Sequence, residues 1–392
     1  MRLLEHSTPT PALALPRGGS AAWALTLCLA LNCGLFWVPE PAHGAEVAAD
    51  KRKPAKTQRP AKAAGAKKHA TPPNHLHSYA DHPTARQFAA ELAERRGWDR
   101  AWVERHIGRA QMLPAVQRLI MPPPVGTAKN WAAYRARSIE PTRIQAGLRF
   151  WDTHASWLDR AEAEYGVPPD IIIGIIGVET FYGRIMGDFR VLDALATLSF
   201  DFPTGRRDRS EFFRGELEEL LAFAQRDGID PASLKGSYAG ALGLPQFMPG
   251  SINKYAVDYD GDGHIDLRGN VADVIGSVAN YLAAFGWQRG LPTHHEVAPP
   301  QDTTARARLL LPDIVPSFSA QQMAELGAQL DAAGQAHAGP LALVELHNGE
   351  AAPSYVAGTQ NFYVVTRYNW SSYYALAVIE LGQAVARARR SR

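Results

Sequence analysis

The stretch that decides the fold runs from Tyr165 to Arg184, YGVPPDIIIGIIGVETFYGR. From Ile171 to Val178 every residue is apolar or glycine, and then comes a carboxylic acid, Glu179. Proline in a first helical turn, with Asp170 beside it, is a sound helix start. Ile172, Ile175, Ile176 and Glu179 follow at i, i+3, i+4 and i+7, so the acid shares a stripe with isoleucines. So short an apolar run cannot cross a bilayer, which predicts a core helix. Gly174 and Gly177 predict the close approach of a neighbouring element.

A carboxylate in apolar surroundings is costly to ionise, so its pKa rises. The negative end of its own helix pushes the same way. An acid still protonated near neutral pH can donate that proton to a leaving group. The competing reading is a buried glutamate satisfied by a neighbour such as Arg184 or Arg190. Two further stretches weigh against it. Lys235–Pro249, KGSYAGALGLPQFMP, thins the backbone with Gly236, Gly240 and Gly243 and offers Ser237 and Gln246 as hydrogen-bonding groups. Arg367–Tyr374, RYNWSSYY, crowds Tyr368, Trp370, Tyr373 and Tyr374 around Asn369. Aromatic faces beside amides and hydroxyls suit pyranose rings. Each stretch alone also reads as ordinary packing.

The helical period extends on both sides. ARQFAAELAERRGWD and RAWVERHIGRAQML carry apolar residues at spacings of three and four. PTRIQAGLRFWDTHASWLDRAEAEYG is a long amphipathic helix with Leu148, Trp151, Leu158 and Tyr165 on one side and Gly166 as its stop. SEFFRGELEELLAFAQR, VADVIGSVANYLAAFGW and SSYYALAVIELGQAVARARR are helical by period. Between 289 and 360 the character changes, and RARLLL, LALVEL and SYVAG suggest short strands around a small helix, Ala320–Ala333. No internal repeat is found.

The chain has 392 residues, 46% hydrophobic and 20% charged, which allows two or three packed subdomains. A formal net charge of +2 and the absence of any nucleic-acid-binding motif leave no reason to expect a nucleic-acid partner. Arg2 and Arg17 precede an apolar run, Ala21–Val38, with AHG just before Ala45. That pattern predicts an export signal cut after Gly44, the alternative being an uncleaved anchor helix. Both cysteines, Cys28 and Cys33, lie inside it, so the mature chain would have neither disulfides nor thiol chemistry. Residues 45–83 are rich in Lys, Pro and Ala and read as a disordered basic linker.

YGVPPDIIIGIIGVETFYGR, DALATLSFDFP, GSYAGALGLPQFMP and NFYVVTRYN resemble, in order and spacing, the lytic murein transglycosylase B family. The resemblance spans nearly all of residues 85–385 and omits the basic arm. It implies a mainly α (α+β) fold: a lysozyme-like core with an N-terminal helical subdomain and a small inserted β-containing subdomain. The expected division is 84–150 for the helical subdomain, 151–288 for the core, 289–360 for the insertion and 361–392 for the return to the core.

The resemblance further implies cleavage of the β-1,4 bond between N-acetylmuramic acid and N-acetylglucosamine in peptidoglycan. Glu179 would be the single acid, then the base that lets the muramoyl 6-hydroxyl attack C1. Ser237 and Gln246 would hold substrate groups, while Tyr134, Tyr281, Tyr368, Asn369 and Tyr374 would line the glycan cleft. A two-carboxylate glycosidase would need a second acid that the motifs do not supply. The alternatives are a hydrolytic muramidase and a non-catalytic peptidoglycan-binding scaffold. The expected setting is the periplasm, with membrane association if the signal is kept. The expected partners are glycan strands and other cell-wall enzymes, and the chain is expected to be a monomer.

DYDGDGHIDL places Asp258, Asp260 and Asp262 at positions 1, 3 and 5 of an EF-hand loop, Gly263 at the turn, the His264 carbonyl at 7 and Asp266 at 9. Gly269 stands where the closing glutamate belongs. The family's loop closes with a later aspartate, here Asp273. A structural Ca²⁺ is expected, and no organic cofactor.

Overall fold

The computed structural model describes residues 77–122 and 129–392. The expected export signal, both cysteines and most of the basic linker lie outside these residues. Among the described residues no helix is long and apolar enough to cross a membrane.

Order begins earlier than the composition of the linker suggests. Tyr79 is 2% exposed and donates to Asp201 at 2.6 Å, which pins residues 77–83 against the helices that follow. α1 (Pro83–Arg96) and α2 (Arg100–Gly108) form a hairpin closed by Gly97 in the left-handed region and capped by Asp99. Short α3 (Pro114–Leu119) and α4 (Trp131–Ser138) lead to the core.

The core is built on α5 (Pro141–Tyr165) and α6 (Pro169–Thr180). Each opens on a proline whose missing N–H costs nothing at a helix start. α5 bends at His154 and stops at Gly166, φ 74°, where a side chain would strain the backbone. Ile172, Ile173, Ile175 and Ile176 are fully buried, each contributing about 1.5–3 kcal/mol relative to exposure.

β1 (Phe189–Arg190) pairs antiparallel with β2 (Lys235–Gly236), bracketing α7 (Val191–Phe200) and α8 (Ser210–Arg226). α9 (Pro249–Tyr255) and α10 (Val271–Ala284) complete this part.

A four-stranded antiparallel sheet follows, of order β4-β3-β6-β5. Its strands are β3 (His294–Ala298), β4 (Gln329–Leu330), β5 (Ala342–Asn348) and β6 (Ala351–Gly358). LALVEL and SYVAG are therefore strands. RARLLL is not: it lies in α11 (Thr303–Leu310), which Asp302 caps by accepting from Ala305, with Leu309 turned inward. The expected helix Ala320–Ala333 is also broken. α12 (Ala320–Glu325) starts on a Ser319–Gln322 capping box and ends before Gly327, φ 87°; β4 and α13 (Ala332–Gln335) follow. This layer has its own small apolar cluster around Leu309, Met323, Leu341 and Leu343.

α14 (Gln360–Tyr368) and α15 (Ser372–Arg390) return to the core. α15 lies antiparallel on α6 at backbone contact distance. A Cβ on Gly174 would sit 2.1 Å from the Val378 carbonyl oxygen, and one on Gly382 would sit 2.0 Å from that of Asp170. The two helices can touch only because those positions are glycine.

Gly174→Ala should therefore destabilise strongly, by about 3 kcal/mol or more through overpacking. Gly215→Ala, in α8 with nothing within 4 Å of the new methyl, should stabilise by about 0.5–1 kcal/mol. Denaturant melts of both variants would check the contrast; equal effects would contradict the packing.

Candidate active site

Glu179 is the next-to-last residue of α6. It is half-buried: the residue opens to the surface, but its carboxyl is wrapped by protein. Burial pushes the carboxyl up to about 7. One hydrogen bond opposes this, the Tyr374 hydroxyl donating to Oε1 at 2.6 Å. Neither Arg184 nor Arg190 pairs with it. Arg190 is bound to Asp193, and Arg184 lies over the Phe181 ring.

Among the described residues, no second carboxylate is one of the groups that shift Glu179. Glu216, on α8, is another buried acid held near 7 by desolvation, but it accepts from the Gly250 amide and supports α9. Sequence reasoning passed over it, because its i, i+3 and i+4 neighbours make α8 an ordinary amphipathic helix.

Of the expected site residues, Tyr374 touches Glu179 and Tyr368 is close enough to feel its charge. Tyr374, 3% exposed on α15, reaches it directly. Tyr368, at the end of α14, stacks on Tyr374 at 6.3 Å and donates to the Pro245 carbonyl at 2.6 Å. Both phenols are pushed well above their ordinary range, by burial and then by the negative charge of Glu179, so both remain hydrogen-bond donors. Asn369 is 7% exposed beside them. Tyr134, on α4, stacks near Trp131 and Tyr373 and is close enough to Tyr374 to act on it electrostatically. Tyr281 lies deeper, 3% exposed in a cluster with Phe247, Tyr255, Phe285 and Tyr368, donating to the Arg367 carbonyl.

Ser237 and Gln246 lie on the Lys235–Pro249 stretch, whose Pro245 carbonyl accepts from Tyr368. The Ser237 hydroxyl accepts from the Ala241 amide within a tight turn. Gln246 adopts φ 52°, and its amide nitrogen donates to the Met186 and Gly243 carbonyls. Thr180 is a residue the sequence did not single out. Its hydroxyl donates to the Leu244 carbonyl at 2.9 Å and accepts from Gly183, so the acid's helix is tied to the Gln246 loop.

Away from this cleft, carboxylate oxygens of Asp258, Asp260 and Asp262 lie within 4.8 Å of one another. Gly261 and Gly263 take φ of 79° and 93°, as a tightly turned loop requires. An all-oxygen, triply negative donor set fits a hard cation such as Ca²⁺. His264 carries its carbonyl on the same turn, its amide donating to Asp262. Asp273 is fully buried under the loop and accepts from the Tyr259 and Asp266 amides at 2.8 Å.

A half-buried acid raised to about 7 at the end of an apolar helix, with a phenol bonded to it, is the arrangement a general acid needs, and it stands here on a mainly helical, lysozyme-like fold. Residues 80–383 match the family described as Transglycosylase SLT domain. Membrane-bound lytic murein transglycosylase B of Escherichia coli (strain K12) is 43% identical over 325 residues, covering 79% of this chain and 85% of that protein. The solved Escherichia coli lytic transglycosylase SLT35 with bulgecin A is 41% identical, with a TM-score of 0.71 over 82% of this chain and 99% of that one. The SLT35 structure with calcium gives the same identity and coverage and a TM-score of 0.70. The chain belongs to the SLT-domain lytic transglycosylases.

Because the Tyr374 bond favours the ionised carboxylate, Tyr374→Phe should raise the Glu179 pKa. If the protonated acid is the active form, the alkaline limb of the pH–rate profile should fall near 7 in wild type and move to higher pH in the variant. An unmoved or acid-shifted limb would contradict that assignment.

Proposed function

We propose that the chain is a lytic murein transglycosylase that cuts the β-1,4 bond between N-acetylmuramic acid and N-acetylglucosamine in peptidoglycan. The observation that carries this reading is the Glu179 carboxyl, whose pKa burial raises to about 7 and which the Tyr374 hydroxyl bonds. Family membership supports the substrate class.

In the proposed step, Glu179 gives its proton to the glycosidic oxygen as the C1–O bond breaks. The resulting carboxylate takes the proton of the muramoyl C6 hydroxyl, and that oxygen bonds to C1. Protons balance, and no water is consumed. Glu179 is acid and base in turn, which needs a pKa near the working pH. The one-acid scheme is supported by the lack, among the described residues, of a second carboxylate acting on Glu179.

Tyr374 and Tyr368 donate hydrogen bonds around the acid, and Tyr134 and Asn369 extend the cleft wall. Ser237 and Gln246 present polar groups from the Lys235–Pro249 stretch. Tyr281 supports Tyr368 from behind. Asp258, Asp260, Asp262, the His264 carbonyl and Asp273 would hold a structural Ca²⁺ that ties the loop to α10. Calcium bound by the SLT35 relative supports this. Association with the membrane agrees with the name of the Escherichia coli relative, as does murein glycan as the principal partner, and export to the periplasm rests on the N-terminal signal pattern. The separate apolar cluster of the four-stranded layer supports treating 289–360 as an insertion in the core.

Digestion of purified sacculi tests the chemistry. Wild type should release muropeptides lighter by one water than their hydrolysed counterparts, and Glu179→Gln should release none. Reducing-end products would make the enzyme a muramidase, and no product from wild type would leave a binding protein.

Calcium should raise the melting stability by about 2.7 kcal/mol at a hundredfold excess over its dissociation constant. Asp258→Asn should abolish that gain, measured by thermal melts with chelator and with added Ca²⁺. A gain equal in both proteins would remove the metal from this loop.

A further inference from the structure

The antiparallel contact of α6 and α15 has two ends. Tyr374 meets Glu179 at one end, and Gly382 meets Asp170 towards the other. Arg389 lies fifteen residues beyond Tyr374 on α15, about 22 Å along the axis at 1.5 Å per residue. There a cavity of about 480 Å³ is lined by Trp151, Asp152, Ala386, Arg389, Arg390 and Arg392.

Hydrogen-bond donors dominate this lining. The Arg389 guanidinium lies over the Trp151 ring at 5.1 Å. Arg389 and Arg392 both donate to Asp152, at 3.4 and 2.8 Å. Arg390 has no hydrogen-bond or ion-pair partner among the described residues, although Asp170 feels its charge through space. Trp151, whose ring lies under Arg389, is 8% exposed, and its indole N–H is buried with no acceptor among the described residues. A buried donor left unpaired is destabilising, and such groups are otherwise rare. Asp152 is shared by Arg389 and Arg392, and the Arg390 guanidinium, which acts on Asp170 only through space, is the donor of this lining left without a bonded acceptor among the described residues. What complements it is an anionic acceptor. The Asp152 carboxylate repels a dianion more than a monoanion, which favours a carboxylate over a phosphate.

We propose that this cavity is a second, non-catalytic binding site for the carboxylate groups of peptidoglycan peptide stems. It rests on the transglycosylase reading, since only that reading supplies the stem-bearing polymer. A polymer with repeated stems engages two sites on one rigid helix pair at once. The second contact raises the effective concentration of the first.

Trp151 reports on the site directly. The full chain, ¹⁵N-labelled at tryptophan, is titrated with a synthetic stem peptide bearing free carboxylates, with its fully amidated counterpart, and with inorganic phosphate. Trp151→Phe assigns the indole resonance. The expected result is a saturable shift with the carboxylated peptide alone, weakened about tenfold in Arg390→Met, a loss typical of one charge-assisted hydrogen bond. Arg390→Met should also release sacculus fragments more slowly while cleaving a short, soluble, peptide-free glycan like wild type.

An equal shift with the amidated peptide would overturn the proposal. An equal shift with phosphate would reduce the cavity to a general anion trap and overturn it too. If wild type is lytic and Trp151 does not respond, this site falls alone. If wild type releases no anhydro product, the transglycosylase reading falls, whatever Trp151 does.

Discussion

The structure depends on placing one ionisable carboxyl where water solvates it poorly. α6 does this by having no polar residue between Asp170 and Glu179, so the acid arrives at the cleft on a helix that is buried almost throughout. Water around the carboxylate would restore its ordinary acidity, and a cation beside it would lower its pKa further. Neither arrangement is built. The partner is a phenol, itself too deeply buried to ionise, which donates one hydrogen bond and leaves the desolvation dominant. Packing at the far side has the same origin. Glycines at 174 and 382 bring α15 into backbone contact, and that contact delivers Tyr374 to the acid.

Much of this was legible in the sequence because it is local. The stripe of isoleucines, the prolines at the helix starts and Gly166 as a stop are short-range signals, and α5, α6, α8, α10 and α15 follow them. Gly174 was also readable as a point of close approach, though neither Gly382 nor the helix that meets it was. Errors fell in the β-containing layer. RARLLL mixes leucine and arginine in a way that serves a one-sided helix as well as a strand, and the Asp302 cap decides it. In Ala320–Ala333 the apolar spacing continues past Gly327, but the left-handed turn there ends the helix.

At the candidate site, a buried carboxyl at Glu179 was readable and its partner was not. Tyr374 appeared as one aromatic among several, and 195 positions separate it from Glu179. Only the antiparallel register of α15 on α6 selects it. The same holds for Thr180, whose hydroxyl looks like an ordinary helix-end group until the loop carrying Leu244 folds over it. The aspartate loop at 258–266 shows the reverse case. Its three aspartates are fixed by local spacing, whereas Asp273 comes under the loop only because α10 starts where the Asn270 cap puts it.

The turn after the acid shows how these constraints meet. Phe181 and Tyr182 both take left-handed backbone angles, φ 52° and 57°, without being glycine. Such positions cost about 1–3 kcal/mol each and persist only where the surroundings over-determine them. Here the surroundings do so. The Phe181 and Tyr182 amides donate to the last free carbonyls of α6, at Gly177 and Ile176. Phe181 is gripped by the guanidinium groups of Arg143 and Arg184, at 4.9 and 4.8 Å. The Tyr182 hydroxyl is wedged against Gly147 and Gly177, where any side chain would collide with it. Ending α6 this abruptly lets the Thr180 hydroxyl reach the Leu244 carbonyl while Glu179 still faces the cleft. A longer helix would carry the chain past that loop. The strained turn therefore fixes the end of α6, and Glu179 with it, against the loop that carries Leu244 and Gln246.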